Sequence, residues 1–381
     1  GFLDARVIPL EPLTDPEART ITPRFRVEEG VQSILAAVGI AGEKALDEED
    51  IREVFLLEAG DPVNERLVEE TRQAIIDLYG ETGYLFAQVE REVEFWEDRT
   101  RVSLNFVVTE GPQVRVQSIE IAGNADTATS LVLGILSFSE GDVFTPDAAQ
   151  ESERRLLRLG VFQSASVSMV APDVVDADKT IAVQVREYLP QSLELRAGFS
   201  TAEGARASLA YGYRNLFGYA IGVHLRLKLN YQLFFLGNDT FEAEFQRLSL
   251  QDQLERLLVA SLNVPYLPGL GGLLATQIDL ANERDDEPFF GIDRSSAFLG
   301  LSSGWRTLLA YSLRVGIEHN DVARFQGDYP LCSSDLPAGT VCMSPAEARR
   351  LRTPQGVSTF SVVRSTFTID WRDDPFNPRQ G

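Results

Sequence analysis

Ile40-Ala41-Gly42 returns as Ile121-Ala122-Gly123, Gly60-Asp61 returns as Gly141-Asp142, and Phe25-Arg-Val-Glu-Glu-Gly30 returns as Phe106-Val-Val-Thr-Glu-Gly111, each 81 residues further on. Gly1-Phe2-Leu3 comes back as Gly83-Tyr84-Leu85 and then, more loosely, as Gly160-Val161-Phe162. Markers of different kinds at one offset imply a structural unit of that length, used more than once. The first 190 residues then hold the end of one unit (1–30) and two complete ones (31–111 and 112–190).

Each unit reads as strand, helix, helix, strand, strand. In the last, Val114–Ile121 alternates as a strand, Thr127–Leu136 reads as a short helix and Gly141-Asp142 as a turn. Pro146 opens a second helix over Asp147–Leu159, at a position where its missing N–H costs nothing. Gly160 closes that helix, and strands follow at Phe162–Val170 and Lys179–Glu187. The middle unit matches with helices Asp47–Leu57 and Asn64–Tyr79 and strands Phe86–Phe95 and Arg101–Glu110. A β-α-α-β-β unit of about 80 residues, with Gly-Tyr-Leu after its helix and Val-Thr-Glu-Gly-Pro closing a strand, resembles the POTRA domain.

From Gln191 onward, period-2 alternation replaces the helical pattern. Ile221, Val223, Leu225, Leu227, Leu229 and Tyr231 alternate with Gly222, His224, Arg226, Lys228 and Asn230. Leu309–Glu318 and Leu193–Ser200 behave alike. Eight strands are predicted: Ser192–Thr201, Arg206–Arg214, Tyr219–Tyr231, Leu257–Tyr266, Leu273–Asn282, Ser295–Trp305, Leu308–Asn320 and Phe360–Arg372. Short turns at Asn215–Gly218, Pro268–Gly272 and Arg306–Thr307 fall on one side. Ala202–Gly204 and the longer connections Gln232–Arg256, Glu283–Arg294 and Asp321–Thr359 fall on the other. A soluble sandwich also alternates. Strand length, aromatic residues near strand ends (Tyr211, Tyr213, Phe217, Tyr219, Tyr266, Trp305, Trp371) and unequal connections favour an antiparallel transmembrane barrel. No stretch approaches the 18 apolar residues of a membrane helix.

The net charge of −22 is unevenly spread. Residues 1–190 carry 36 acidic and 17 basic side chains, a net of −19, and residues 191–381 carry 21 and 18, a net of −3. Such an acidic first half reads as a well-solvated surface and argues against nucleic acid and anionic lipid head groups as partners. Cys332 and Cys342 flank a short polar segment and read as a local disulfide in an oxidising compartment, with two free thiols as the alternative. No Ser-His-Asp grouping, metal cluster or phosphate loop is present, so neither enzymatic activity nor a cofactor is expected.

The order of parts, and four motifs, are similar to the outer-membrane protein assembly superfamily of BamA/TamA type. Leu195-Arg-Ala-Gly-Phe-Ser-Thr-Ala-Glu-Gly204 resembles its first barrel strand and tight turn. Arg214-Asn-Leu-Phe-Gly218 resembles the turn into its third strand, and Asn263-Val-Pro-Tyr266 its fourth-strand pattern. Asp370-Trp-Arg-Asp-Asp-Pro-Phe-Asn-Pro-Arg-Gln-Gly381 resembles its eighth-strand ending. The implied fold is α+β POTRA repeats followed by about eight of about sixteen strands of an all-β barrel (191–381), with further chain expected beyond both ends.

The resemblance implies an outer-membrane protein with its repeats in the periplasm that assembles and inserts other barrel proteins. Its partners would be unfolded outer-membrane clients, outer-membrane lipid and accessory proteins of the periplasm or inner membrane. The implied lateral gate is the first barrel strand: Ser192, Leu193, Glu194, Leu195, Arg196, Ala197, Gly198, Phe199, Ser200 and Thr201. Glycine at 198 is expected to weaken it. Asp370 and Arg372, on one strand face, and Asp373 are expected to point into the lumen, while Pro375, Pro378 and Gly381 shape a turn. The alternative is a two-partner-type secretion pore, which a third partial repeat weighs against.

Overall fold

The computed structural model describes residues 6–15, 20–96, 100–200, 204–232, 249, 253–267, 274–287, 290–305, 309–324, 332–337, 340, 342, 344 and 356–371. They fall into two compact units, and the second complete repeat contributes to both: Ile121–Leu136, Glu153–Ala165 and the stretch from Gln184 onward group with the C-terminal half, the rest of that repeat with the N-terminal half.

β1 (Arg6–Asp15) and β2 (Thr20–Glu28) form an antiparallel hairpin with an irregularity between Leu10 and Leu13. By the repeat offset, β2 stands where the last strand of a unit stands.

The first complete repeat is β3 (Ile34–Ala41), α1 (Glu48–Glu53), α2 (Glu65–Glu81), β4 (Gln88–Phe95) and β5 (Arg101–Thr109). Its sheet has the order β3-β5-β4, with β3 parallel and β4 antiparallel to the central β5. β5 alternates because one face is core: Val102, Leu104, Phe106 and Val108 are buried against Ile51, Val68, Ile75 and Tyr79 of the helices. Burying such side chains stabilises the unit by roughly 1.5–3 kcal/mol each. Asn64 caps α2 by accepting from the Arg66 N–H. α1 stops well short of the predicted Leu57. The Leu56 N–H turns instead to the Thr71 hydroxyl, and Leu57 enters the core.

The second complete repeat is β6 (Arg115–Ala122), α3 (Thr129–Ile135), α4 (Pro146–Arg158), β7 (Phe162–Met169) and β8 (Asp178–Glu187), with sheet order β6-β8-β7. The recurring markers have recurring jobs. Asp61 accepts from the Glu58 N–H and Asp142 from the Ser139 N–H, each closing the same turn. Gly60 and Gly141 donate from their N–H to the Leu35 and Val116 carbonyls. Gly42 and Gly123 adopt positive φ, 91° and 94°, with the carbonyl oxygens of Val108 and Val185 crowding the space a Cβ would fill. Ser152 repeats the role of Thr71 by accepting from the Ser137 N–H.

A carboxylate clamp also recurs. Glu110 accepts from the N–H groups of Lys44 and Ala45 at 2.6 and 2.8 Å, and from the Tyr79 hydroxyl at 3.1 Å. Glu187 accepts from the N–H groups of Asp126 and Thr127 at 3.0 and 2.8 Å. Burial pushes the Glu110 carboxyl up, but the Ala45 and Lys44 N–H groups and the Tyr79 hydroxyl outweigh it and hold the group below the usual carboxylate range. Burial, and then Glu110, push the Tyr79 hydroxyl up.

The C-terminal half is one antiparallel sheet of eight strands in chain order: β9 (Gln191–Ser200), β10 (Gly204–Leu216), β11 (Ile221–Tyr231), β12 (Leu254–Val264), β13 (Ala275–Glu287), β14 (Phe290–Trp305), β15 (Leu309–Arg324) and β16 (Gly356–Ile369). Among the described residues it is an open sheet with β9 and β16 at its edges: the eight strands expected are present, and they do not close into a barrel.

The predicted connections 283–294 and 321–359 are largely strand at their ends. β13 and β14 stay paired as far as Glu287↔Phe290, and β14 and β15 as far as Phe290↔Arg324. These stretches are too polar to read as strand, yet cross-strand ion pairs such as Arg284–Asp293 (2.6 Å) and Arg294–Glu283 (3.2 Å) hold them. The predicted turns 268–272 and 306–307 lie outside the described residues, as does most of the connection 232–256.

Candidate functional site

The eight-stranded sheet has two chemically distinct faces, because pairing in register sets like side chains beside like. One row runs Leu225–Ala260–Leu280–Ala297–Ile317 and the next Val223–Leu262–Ile278–Leu299–Val315–Val363, all apolar. The opposite face carries Lys228, Glu283, Arg294 and Asn320 in one row, and His224, Ser261 and Asp279 in another. Ion pairs cross that polar face, with Arg314 reaching Asp279 at 3.2 Å and Arg294 reaching Glu318 at 3.4 Å.

The apolar face ends abruptly. Leu229 is in register with Arg256, Arg284 and Asp293, and both arginines bind the Asp293 carboxylate, at 2.8 and 2.6 Å. Among the described residues the two edge strands also keep exposed apolar side chains on this face: Leu193, Leu195 and Phe199 on β9 are 72%, 76% and 66% exposed, and Val363 and Phe367 on β16 are 68% and 69%. An apolar sheet face this extensive calls for an apolar partner or solvent.

β9 is the residue set predicted as a gate. It covers Gln191–Ser200, and Thr201 lies outside the described residues. It pairs with β10 from Gln191↔Tyr213 to Ser200↔Gly204, and its other side meets no strand among the described residues. At Gly198, the residue expected to weaken the strand, the Arg206 side chain lies over the backbone, with Nε 3.1 Å from the position a Cβ would take.

The turn between β10 and β11 is locked to the start of α3. Buried Asn215 donates from Nδ2 to the Thr127 hydroxyl at 2.9 Å and accepts from the Ala220 N–H at 2.9 Å. Gly218, with φ 78°, accepts at its carbonyl from the Ala128 N–H at 2.9 Å. Tyr266 donates to the Gly134 carbonyl at 3.3 Å. These bonds explain why Ile121–Leu136 groups with the sheet. Nothing in the sequence marks Asn215 and Thr127 as partners, since they are 88 residues apart.

The second predicted cluster is only partly described. β16 ends at Ile369, so Asp370 sits half-buried just past the strand and not on a strand face. Arg372, Asp373, Pro375, Pro378 and Gly381 lie outside the described residues. Cys332 and Cys342 are joined in a disulfide with their Cα atoms 5.0 Å apart. No group of three or more His, Cys, Asp or Glu among the described residues is placed to hold a metal ion.

The POTRA family model, described as surface antigen variable number repeat, matches residues 34–111 and 114–188. The outer membrane protein assembly factor BamA of Neorickettsia risticii is 26% identical over 255 residues, 66% of this chain and 33% of that protein. A putative outer membrane protein assembly factor of Treponema pallidum is 28% identical over 208 residues, 52% of this chain and 24% of that protein. Residues 34–111 and 114–188 are thus POTRA repeats, and the chain as a whole is similar to outer membrane protein assembly factors.

The chain spans a quarter to a third of the length of those relatives. Its fold is like that of BamA from Haemophilus ducreyi lacking POTRA domains 1–3, at a TM-score of 0.57 and 17% identity, over 92% of this chain and 62% of that one. At that identity the likeness speaks for the fold alone.

Proposed function

We propose that this chain belongs to the outer-membrane protein assembly superfamily, that it assembles and inserts β-barrel proteins in the bacterial outer membrane, and that β9 is the strand edge on which a client begins to pair. The observation that carries this is the edge itself: among the described residues β9 is hydrogen-bonded to a strand on one side only, beside an extensive apolar face. An unpaired strand edge is a template for another strand. A client strand in hydrocarbon cannot leave its backbone groups unsatisfied, so such a template lowers the cost of entering the membrane.

In this reading the eight strands (191–381) are part of a transmembrane barrel with the Leu225 face toward lipid. The rim of Arg256, Arg284 and Asp293 lies at the membrane boundary and the Cys332–Cys342 disulfide in an outer connection. The partial repeat 1–30 and the repeats 31–111 and 112–190 lie in the periplasm, where their sheets receive extended clients or accessory proteins. Asp370, Arg372 and Asp373 contribute to the lumen.

A photoreactive benzophenone side chain introduced at Glu194 or Leu195, in membranes containing the full chain, tests the edge. Added unfolded outer-membrane client should be captured there and not from the same group at Leu280, in the middle of the sheet. Capture of equal strength at all three positions would overturn the reading. A secretion pore is the second reading, favoured by the ion-pair-lined polar face. It would give capture at Ser261 on that face, with none at β9.

A further inference from the structure

The polar face of β9–β11 holds a cleft of about 510 Å³. Its floor is β10, where Ser208 and Ala210 are small enough to leave the space open. Glu194 and Arg196 of β9 wall one side, Arg226 and Lys228 of β11 the other. Register fixes the arrangement. Arg196 and Lys228 flank Ser208, and Glu194 and Arg226 flank Ala210, so each facing pair is about 10 Å apart across two strand spacings.

The cleft has four cations, Arg206 included, and one carboxylate. That carboxylate is engaged: Arg196 Nε donates to Glu194 Oε1 at 2.5 Å. Arg226 and Lys228 meet no carboxylate among the described residues, unlike Arg294 and Arg314 further along the face. Arg206 is opposite Gly198 in register and lies over it, with Nε and Cγ 3.1 and 3.5 Å from the Cβ position. The absence of a side chain at 198 lets a β10 guanidinium sit above the edge strand.

We infer that this cleft selects the strand that pairs with β9, by receiving an acidic side chain from its polar-facing positions near Gly198. The inference rests on the edge-pairing reading above. Ala197 and Gly198 of the edge strand also line the cleft, and Gly198 offers it nothing but backbone. Only a polypeptide strand satisfies that backbone and presents alternate side chains over the cleft at the same time. Its carboxylates would form charge-assisted hydrogen bonds with Arg206 and Arg226, bonds stronger than those of the neutral amides.

The test uses the full chain in phosphatidylcholine vesicles and two fluorescent strand peptides, apolar at alternate positions and carrying Glu or Gln at the others, with binding to empty vesicles subtracted. The Glu peptide should bind about tenfold more tightly than the Gln peptide, a preference that shrinks with added salt. Arg206→Gln with Arg226→Gln should abolish the preference and leave the Gln peptide's affinity unchanged. Arg206→Lys, which keeps the charge, should preserve much of it, and Arg364→Gln, a control on β16, all of it. Gel mobility with and without heating reports whether each variant is folded. Equal binding of both peptides, or a preference surviving the double substitution, overturns the inference and leaves edge pairing intact. Binding of neither peptide overturns both.

Discussion

The Asn215 side chain bonds at both ends, donating to the Thr127 hydroxyl and accepting from the Ala220 N–H, each at 2.9 Å, in a site closed to solvent. One amide thus ties the β10–β11 turn to the start of α3. A buried polar group with both partners present is stabilising, and removing it strands the partners unsatisfied.

Asn215→Ala should therefore cost roughly 1–3 kcal/mol. The loss should appear as faster hydrogen exchange at the Ala128 and Ala220 amides, with exchange in β14 and β15 unchanged. Gly218→Ala should act at the same place. Its φ is 78°, and a Cβ there would meet the Asp126 carbonyl oxygen at 3.0 Å. Unchanged protection in both variants would show that the turn is held by other contacts.

Glu110 makes the stability of the first complete repeat depend on pH. Its carboxyl is held low in the folded state. The group therefore stabilises the fold above its unfolded pKa of about 4.3, and that contribution is lost as pH falls through the lower folded value. Glu110→Gln should lose about 1 kcal/mol at pH 7. The gap between variant and wild type should close under acid. Denaturant midpoints at pH 7 and pH 3 check this, and a gap of the same size at both would contradict it.

Gly42→Ala and Gly123→Ala should each disable a repeat, because the added Cβ would sit 2.3 and 1.8 Å from the Val108 and Val185 carbonyl oxygens in a left-handed backbone. Gly60→Ala, also at positive φ but with nothing within 4 Å, should pay only the conformational cost of about 1 kcal/mol. Protease resistance of the two repeats should rank the variants in that order.

On the proposed membrane orientation, Leu225→Arg places a charge on the lipid face, at a cost of roughly 2–4 kcal/mol near the midplane. Folding yield into vesicles, read by heat-modifiable gel mobility, should drop. Arg226→Leu, on the polar face, should fold normally. Equal yields for the two would mean that the apolar face does not meet lipid.

The repeat, its element order and the eight alternating strands were legible because each is written in local chemistry. Gly60-Asp61 and Gly141-Asp142 close their turns with bonds three residues long. Strand ends were less legible where charge overrides the apolar alternation. Glu283 to Glu287 reads as a polar loop until Arg294 and Asp293 are found opposite it. The clamp by Glu110 had a sequence trace, since Glu187 recurs in the equivalent place, but its partners 65 and 66 residues away had none.

Periodicity alone determined which residues share a face of each strand, because side chains alternate with a period of two wherever a strand forms. It also determined that two complete copies of one α+β unit precede those strands. Only the tertiary structure decided which strand is left at an edge, how far the charged hairpins run, and that Arg206 crosses Gly198. Those depend on which distant segments come into register. Pairing register is a property of two strands at once, and it is not encoded in either strand by itself.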